Sequence, residues 1–142
     1  MIPKPDLIKW DDLNEGMSVA IPFSISHNDM QAFAELSGDY SRIHHDVEFA
    51  LKNGFLAPVV YGALIVARLS ALVGMRLPGD LGLATEWKIN FNNPLYVNDH
   101  AIMCGEIIHV SEVTHTIKLK FSVFVGDRII ATGMAGSKLL YY

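Results

Sequence analysis

Residues Gly62 to Val73 read Gly-Ala-Leu-Ile-Val-Ala-Arg-Leu-Ser-Ala-Leu-Val, apolar on nearly every side of a helical wheel. Such a helix needs other elements wrapped around it. About 12 residues at about 1.5 Å each reach roughly 18 Å, which is too short for a bilayer and suits a core helix. Gly74 is expected to cap it, and Pro78-Gly79-Asp80 to form the exit turn. Beyond that turn the chain reads as strand throughout: Ala84 to Phe91, Ala101 to Val110, Thr116 to Val125 and Arg128 to Leu140, with Gly126-Asp127 as a two-residue hairpin. Thr116, Lys118 and Lys120 alternate with Ile117, Leu119 and Phe121, so one face of the sheet is expected to pack and the other to meet solvent.

Upstream, Ser18 to Ile25 reads as a first strand. Ser26 followed by Asp29 resembles a capping box that opens a helix running to about Leu36. Ser37-Gly38-Asp39-Tyr40-Ser41 concentrates turn formers, Val47 to Asn53 reads as a short second helix, and Gly54 ends it. With no repeat or linker to divide the chain, residues 1–142 are expected to form one α+β domain, a curved antiparallel sheet wrapped around a long buried helix.

Hydrophobic residues make up 51% of the chain and charged residues 18%, so few charges are left to cover the outside. Part of the apolar surface is therefore expected to meet a second copy, and an unpaired apolar edge strand points the same way, to a homodimer or a higher homo-oligomer. The net charge is −4, and no Lys/Arg run provides the basic face that nucleic-acid binding needs. Met1 to Trp10 carries three charged residues and two prolines, unlike a signal peptide. No apolar run approaches the roughly 18 residues of a membrane span. Cys104 is the lone cysteine, which suits a reducing compartment, and a cytoplasmic location is expected.

The stretch that carries chemistry is Phe33-Ala34-Glu35-Leu36-Ser37-Gly38-Asp39-Tyr40-Ser41-Arg42-Ile43-His44. A carboxylate and an imidazole five residues apart on one tight loop can reach the same water, and the opposite charges they can carry favour each other. An aromatic residue, Ser-Gly-Asp and a His five residues after the Asp together resemble the signature of the MaoC-like dehydratases, the (R)-specific enoyl-CoA hydratases or hydratase 2 family. The likeness continues through Phe55, Val60, Gly62 and the apolar helix to Leu77-Pro78-Gly79; the later strands agree in pattern only.

The resemblance implies a hot-dog fold and reversible addition of water to a trans-2-enoyl thioester. The product would be the (R)-3-hydroxyacyl thioester, with no metal or redox cofactor and with coenzyme A or an acyl carrier entering only as part of the substrate. It implies that Asp39 and His44 hold one water, Asp39 removing its proton and His44 orienting it and delivering a proton to C2. The Gly62 backbone N–H, at a helix start, would bind the thioester oxygen where negative charge builds, although a glycine there could instead serve tight packing alone. Ser70 resembles a family serine near the acyl pocket, although a hydroxyl bonded to the preceding helical turn is the more common role.

Two departures stand out. The family usually has Asn-Pro where this chain has Ser41-Arg42, and His where it has Tyr61. Ser41 can still donate and accept hydrogen bonds, with shorter reach. Arg42 reads either as a solvated side chain or as a contact to a substrate carboxylate or carrier phosphate. Tyr61 places a phenol beside the substrate region. His44-His45-Asp46 contains ligand-type side chains, but adjacent histidines rarely share one ion, so no metal site is expected. Lys88, Arg76 and Lys138 could meet carrier phosphates or simply be solvated. A thioesterase on the same fold usually places a carboxylate on the core helix, and Gly62 to Val73 has none. A non-catalytic acyl-thioester binding or assembly subunit is the other alternative.

Overall fold

The computed structural model describes residues 1–142. Its elements are β1 (Ser18–Phe23), α1 (His27–Ser37), a 3-10 turn (Arg42–His44), α2 (Val47–Lys52), α3 (Gly62–Met75), β2 (Gly82–Phe91), β3 (Ala101–Ser111), β4 (Thr116–Val125) and β5 (Arg128–Leu139). The five strands form one sheet in the order β1-β3-β4-β5-β2, every neighbouring pair antiparallel. The strand before the helices and the strand after α3 thus become the two edges. With α3 packed against the curved sheet, this is the hot-dog arrangement.

Local chemistry explains the elements. The Ser26 hydroxyl accepts from the Asp29 N–H at 3.1 Å while the Asp29 carboxylate accepts from the Ser26 N–H at 2.8 Å, a complete capping box for α1. Gly38 ends α1 in the left-handed conformation, φ 74°, and its N–H bonds the Ala34 carbonyl. In β4, Ile117, Leu119 and Phe121 are buried and Lys118 and Lys120 exposed, as the alternation predicts. Pro22 lies in β1, an edge strand that can tolerate a missing N–H.

Two expectations about α3 are corrected. The helix does not stop at Gly74 but runs to Met75, where the Arg76 N–H bonds the Leu72 carbonyl. The N-terminal segment supports the two extra residues: the Asp6 N–H donates to the Met75 carbonyl at 2.8 Å, and Arg76 Nε donates to Asp6 at 2.9 Å. Nor is α3 wrapped on every side by its own chain. Ile65, Leu69, Leu72 and Val73 are buried, a stripe at helical spacing, whereas Ala63, Ala67 and Ser70 stay exposed. The contact with the sheet is close: a Cβ on Gly105 of β3 would lie 3.0 Å from a Leu72 methyl. No helix is long and apolar enough to cross a membrane.

Edge strand β2 has one side without a strand partner. It leaves Leu83 and Phe91 more than half exposed, at 52% and 55%, and it ends where the loop 92–96 runs alongside residues 59–60, through a Val60 N–H to Leu95 carbonyl bond of 2.9 Å and a Val59–Tyr96 bridge.

Candidate active site

The αL cap at Gly38 turns the chain out of α1 and presents Asp39 at the surface. Two residues later the Ser41 N–H donates to Asp39 Oδ1 at 3.0 Å, and the Ser41 hydroxyl donates to the same oxygen. These bonds, the hydroxyl first and the backbone N–H second, hold the Asp39 carboxyl below the ordinary carboxylate range. Positive charge on His44 and His45 acts weakly in the same direction, and Asp39 itself lines neither of the two cavities that His44 borders. Ser41, where the family usually has Asn, thus directly holds the candidate base in its ionised form.

His44 is held differently. Its Nδ1 lies 2.6 Å from the Val59 carbonyl, while the Val59 N–H returns a bond to the Ile43 carbonyl at 3.0 Å. A carbonyl only accepts, so Nδ1 carries the proton of that bond and Nε2 is left free for chemistry. The ring also stacks on Tyr61, centroids 3.9 Å apart and planes 27° apart.

Two cavities meet at His44. The larger, about 670 Å³, is lined by α1, through polar His27, Gln31 and Glu35 and apolar Met30 and Ala34, and by apolar groups such as Val47, Pro58 and Val97. The smaller, about 400 Å³, runs between Val59, Gly62, Ile65 and the end of β2 at Phe91. Gly62 is the first residue of α3, and neither its N–H nor that of Ala63 is bonded within the chain, as at any uncapped helix start. The glycine also has a packing cause: a Cβ there would lie 2.7 Å from the Phe91 ring.

The remaining candidates fall elsewhere. Tyr61 is 2% exposed and its hydroxyl is taken up by the chain, donating to the Asp39 carbonyl at 2.6 Å. Burial, and secondarily the charge of Asp39, push its ionisation up. It therefore supports the loop and offers no free phenol to a ligand. Ser70 lies on the exposed face of α3, lines neither cavity, and makes no bond to the preceding turn. Arg42 turns away from both cavities, pairing with Asp46 at 2.8 Å and lying over the Phe49 ring at 4.5 Å. A substrate carboxylate held in either cavity would gain no contact from Arg42, which lines neither of them. Arg76 and Lys88 pair with Asp6 and Glu86.

Sequence reading missed His45, whose Nε2 lies 2.5 Å from the Tyr61 hydroxyl, and the polar α1 wall. The spacing of His27, Gln31 and Glu35, four residues apart each time, was the available signal for the wall. Nothing local pairs His45 with Tyr61.

Comparison with known proteins gives a consistent pattern. The family model described as "MaoC like domain" matches residues 12–129. A 3-hydroxybutyryl-CoA dehydratase of Methylorubrum extorquens is 27% identical over 135 residues, covering 95% of this chain and 86% of the relative. An (R)-specific enoyl-CoA hydratase of Aeromonas caviae is 31% identical over 112 residues, 78% of this chain and 84% of that one. The solved (R)-hydratase from A. caviae involved in PHA biosynthesis superposes with a TM-score of 0.84 at 29% identity, covering 90% of this chain and 98% of that one.

Proposed function

From the premise that this chain belongs to the MaoC-like domain family, we propose that it is a hydro-lyase that reversibly adds water to a trans-2-enoyl thioester, giving the (R)-3-hydroxyacyl product. The observation that carries the reading is the free Nε2 of His44 bordering two cavities, with Asp39 five residues before it on the same loop and the start of α3 opening on the smaller cavity.

Hydration puts hydroxide on C3 and a proton on C2. Asp39 is ionised throughout the neutral range and takes a proton from water as its oxygen bonds C3. The neutral form of His44 has its only N–H on Val59, so delivery of a proton from Nε2 to C2 starts from the imidazolium. Passage of the proton from Asp39 back to His44 then resets the pair, and atoms and charge balance. As C3 is attacked, negative charge moves onto the thioester oxygen, and the unbonded Gly62 N–H at the positive end of α3 is the donor available to it. The thioester carrier is coenzyme A or an acyl carrier protein, and no metal or redox cofactor takes part in these steps. The open edge of β2 supports a homodimer, which light scattering would test by mass. A cytoplasmic location completes the proposal.

Loss of the enoyl absorbance of crotonyl-CoA, with Asp39→Asn and His44→Ala alongside, tests the reading. Turnover abolished by either substitution is expected. A protein that binds enoyl thioesters without turning over short or medium chains would be the binding subunit instead. The absence of Asp and Glu from α3 weighs against the thioesterase reading.

A further inference from the structure

The hydroxyl of Tyr61 is engaged on both sides: it donates to the Asp39 carbonyl at 2.6 Å and lies 2.5 Å from His45 Nε2. A phenol has one proton and a carbonyl can only accept. The second bond must therefore be donated by His45, which fixes its proton on Nε2. Adjacent histidines thus hold opposite tautomers, since His44 carries its proton on Nδ1 against Val59.

The same tyrosine reaches both members of the candidate pair. Its hydroxyl holds the backbone of Asp39, and its ring stacks on His44 at 3.9 Å and meets the Phe33 ring at a 54° tilt, 4.7 Å away. The other hydrogen bonds of Asp39 stay within its own turn: its N–H donates to the Ser37 hydroxyl, and its carboxylate accepts from Ser41. The Tyr61 bond is what ties the exposed end of the loop to the body of the protein.

We propose that His45 and Tyr61 act as one positioning unit, in which the His45 Nε2–H orients the phenol so that its proton points at the Asp39 carbonyl, fixing carboxylate and imidazole relative to each other. The proposal rests on the hydratase reading. It assigns no proton transfer to His45, which lines the larger cavity but acts through Tyr61. The energetic logic is that a small misplacement of a catalytic group costs rate far more than binding.

Three variants separate this from plain packing. Tyr61→Phe keeps the stacked ring and deletes both bonds, His45→Leu deletes only the donor, and His45→Gln restores an N–H near the position of Nε2. In enoyl thioester hydration, Tyr61→Phe and His45→Leu are each expected to lower kcat by about tenfold with KM changed by less than about twofold. The double variant should lose no more than the worse single one, and His45→Gln should recover most of the loss. Additive losses, or no recovery with Gln, overturn the proposal. The side-chain ¹⁵N shifts of His45 provide a readout independent of turnover: Nε2-protonated in the unaltered protein, a tautomer mixture in Tyr61→Phe. If the unaltered protein hydrates nothing, the hydratase reading fails while these shifts still decide the positioning unit; an Nδ1-protonated His45 sinks it.

Discussion

Asp39 and His44 sit at the two ends of one short loop and are held by different parts of the molecule. Asp39 is exposed, its carboxylate is bonded by Ser41 two residues away, and it lines neither cavity. His44 is half-buried, bonded to Val59 fifteen residues on, stacked on Tyr61, and borders both cavities. One group is tuned by its immediate neighbours and the other is fixed by the tertiary fold. The contrast teaches that a pair legible as a single motif can have its two side chains held by different means, one local and one distant, even where one residue, Tyr61, touches the backbone of the first and the ring of the second.

The contrast can be broken most sharply at the pair itself. Asp39→Asn should lower kcat by about a thousandfold with little change in the denaturation midpoint, because the side chain is exposed. His44→Ala should lose activity to a similar degree and also destabilise by about 1–3 kcal/mol, since it abandons the Val59 carbonyl and the Tyr61 stack. Equal denaturation midpoints for the two variants would show that the loop supports both alike.

A smaller effect is expected at Gly62, on the tertiary side of the contrast. The added methyl of Gly62→Ala would meet the Phe91 ring at 2.7 Å and should cost about 1–2 kcal/mol in urea unfolding. Phe91→Leu in the same chain should recover part of it; no recovery would place the strain elsewhere.

The smallest effect is on the local side. Ser41→Ala removes the hydroxyl bond that chiefly holds the Asp39 carboxyl below its ordinary range, so its ¹³C-monitored titration should move upward. The sign follows from linkage. A carboxyl with a folded value below its unfolded one, about 3.9, adds stability above that pH and loses it as pH falls through the folded value. Ser41→Ala should narrow that window, and an unmoved titration would mean the backbone N–H alone sets it.

How much could be read from the chain follows the same division. The capping box at Ser26 and Asp29, the glycine cap at Gly38 and the alternation of β4 are local and were legible. So was the Asp39–His44 spacing, and with it the Ser41 neighbour. The extension of α3 past Gly74 was not, because its cause lies at Asp6, across the fold. An all-apolar helix suggested complete wrapping, yet hydrophobicity cannot say whether the covering comes from the same chain, and Ala63 and Ala67 remain uncovered here. Arg42 was ambiguous until its partner Asp46 was seen beside it. The tie between His45 and Tyr61 spans sixteen residues with no periodic signal.

The Phe91 ring packed over the start of α3 carries a rule for variation. The strand terminus and the helix terminus share one volume, so bulk gained at the helix start is met by a swing of the Phe91 ring, whose exposed face leaves it room to move. Sequences related to this one should therefore vary those two positions jointly, each change at one reshaping the mouth of the smaller cavity through the other.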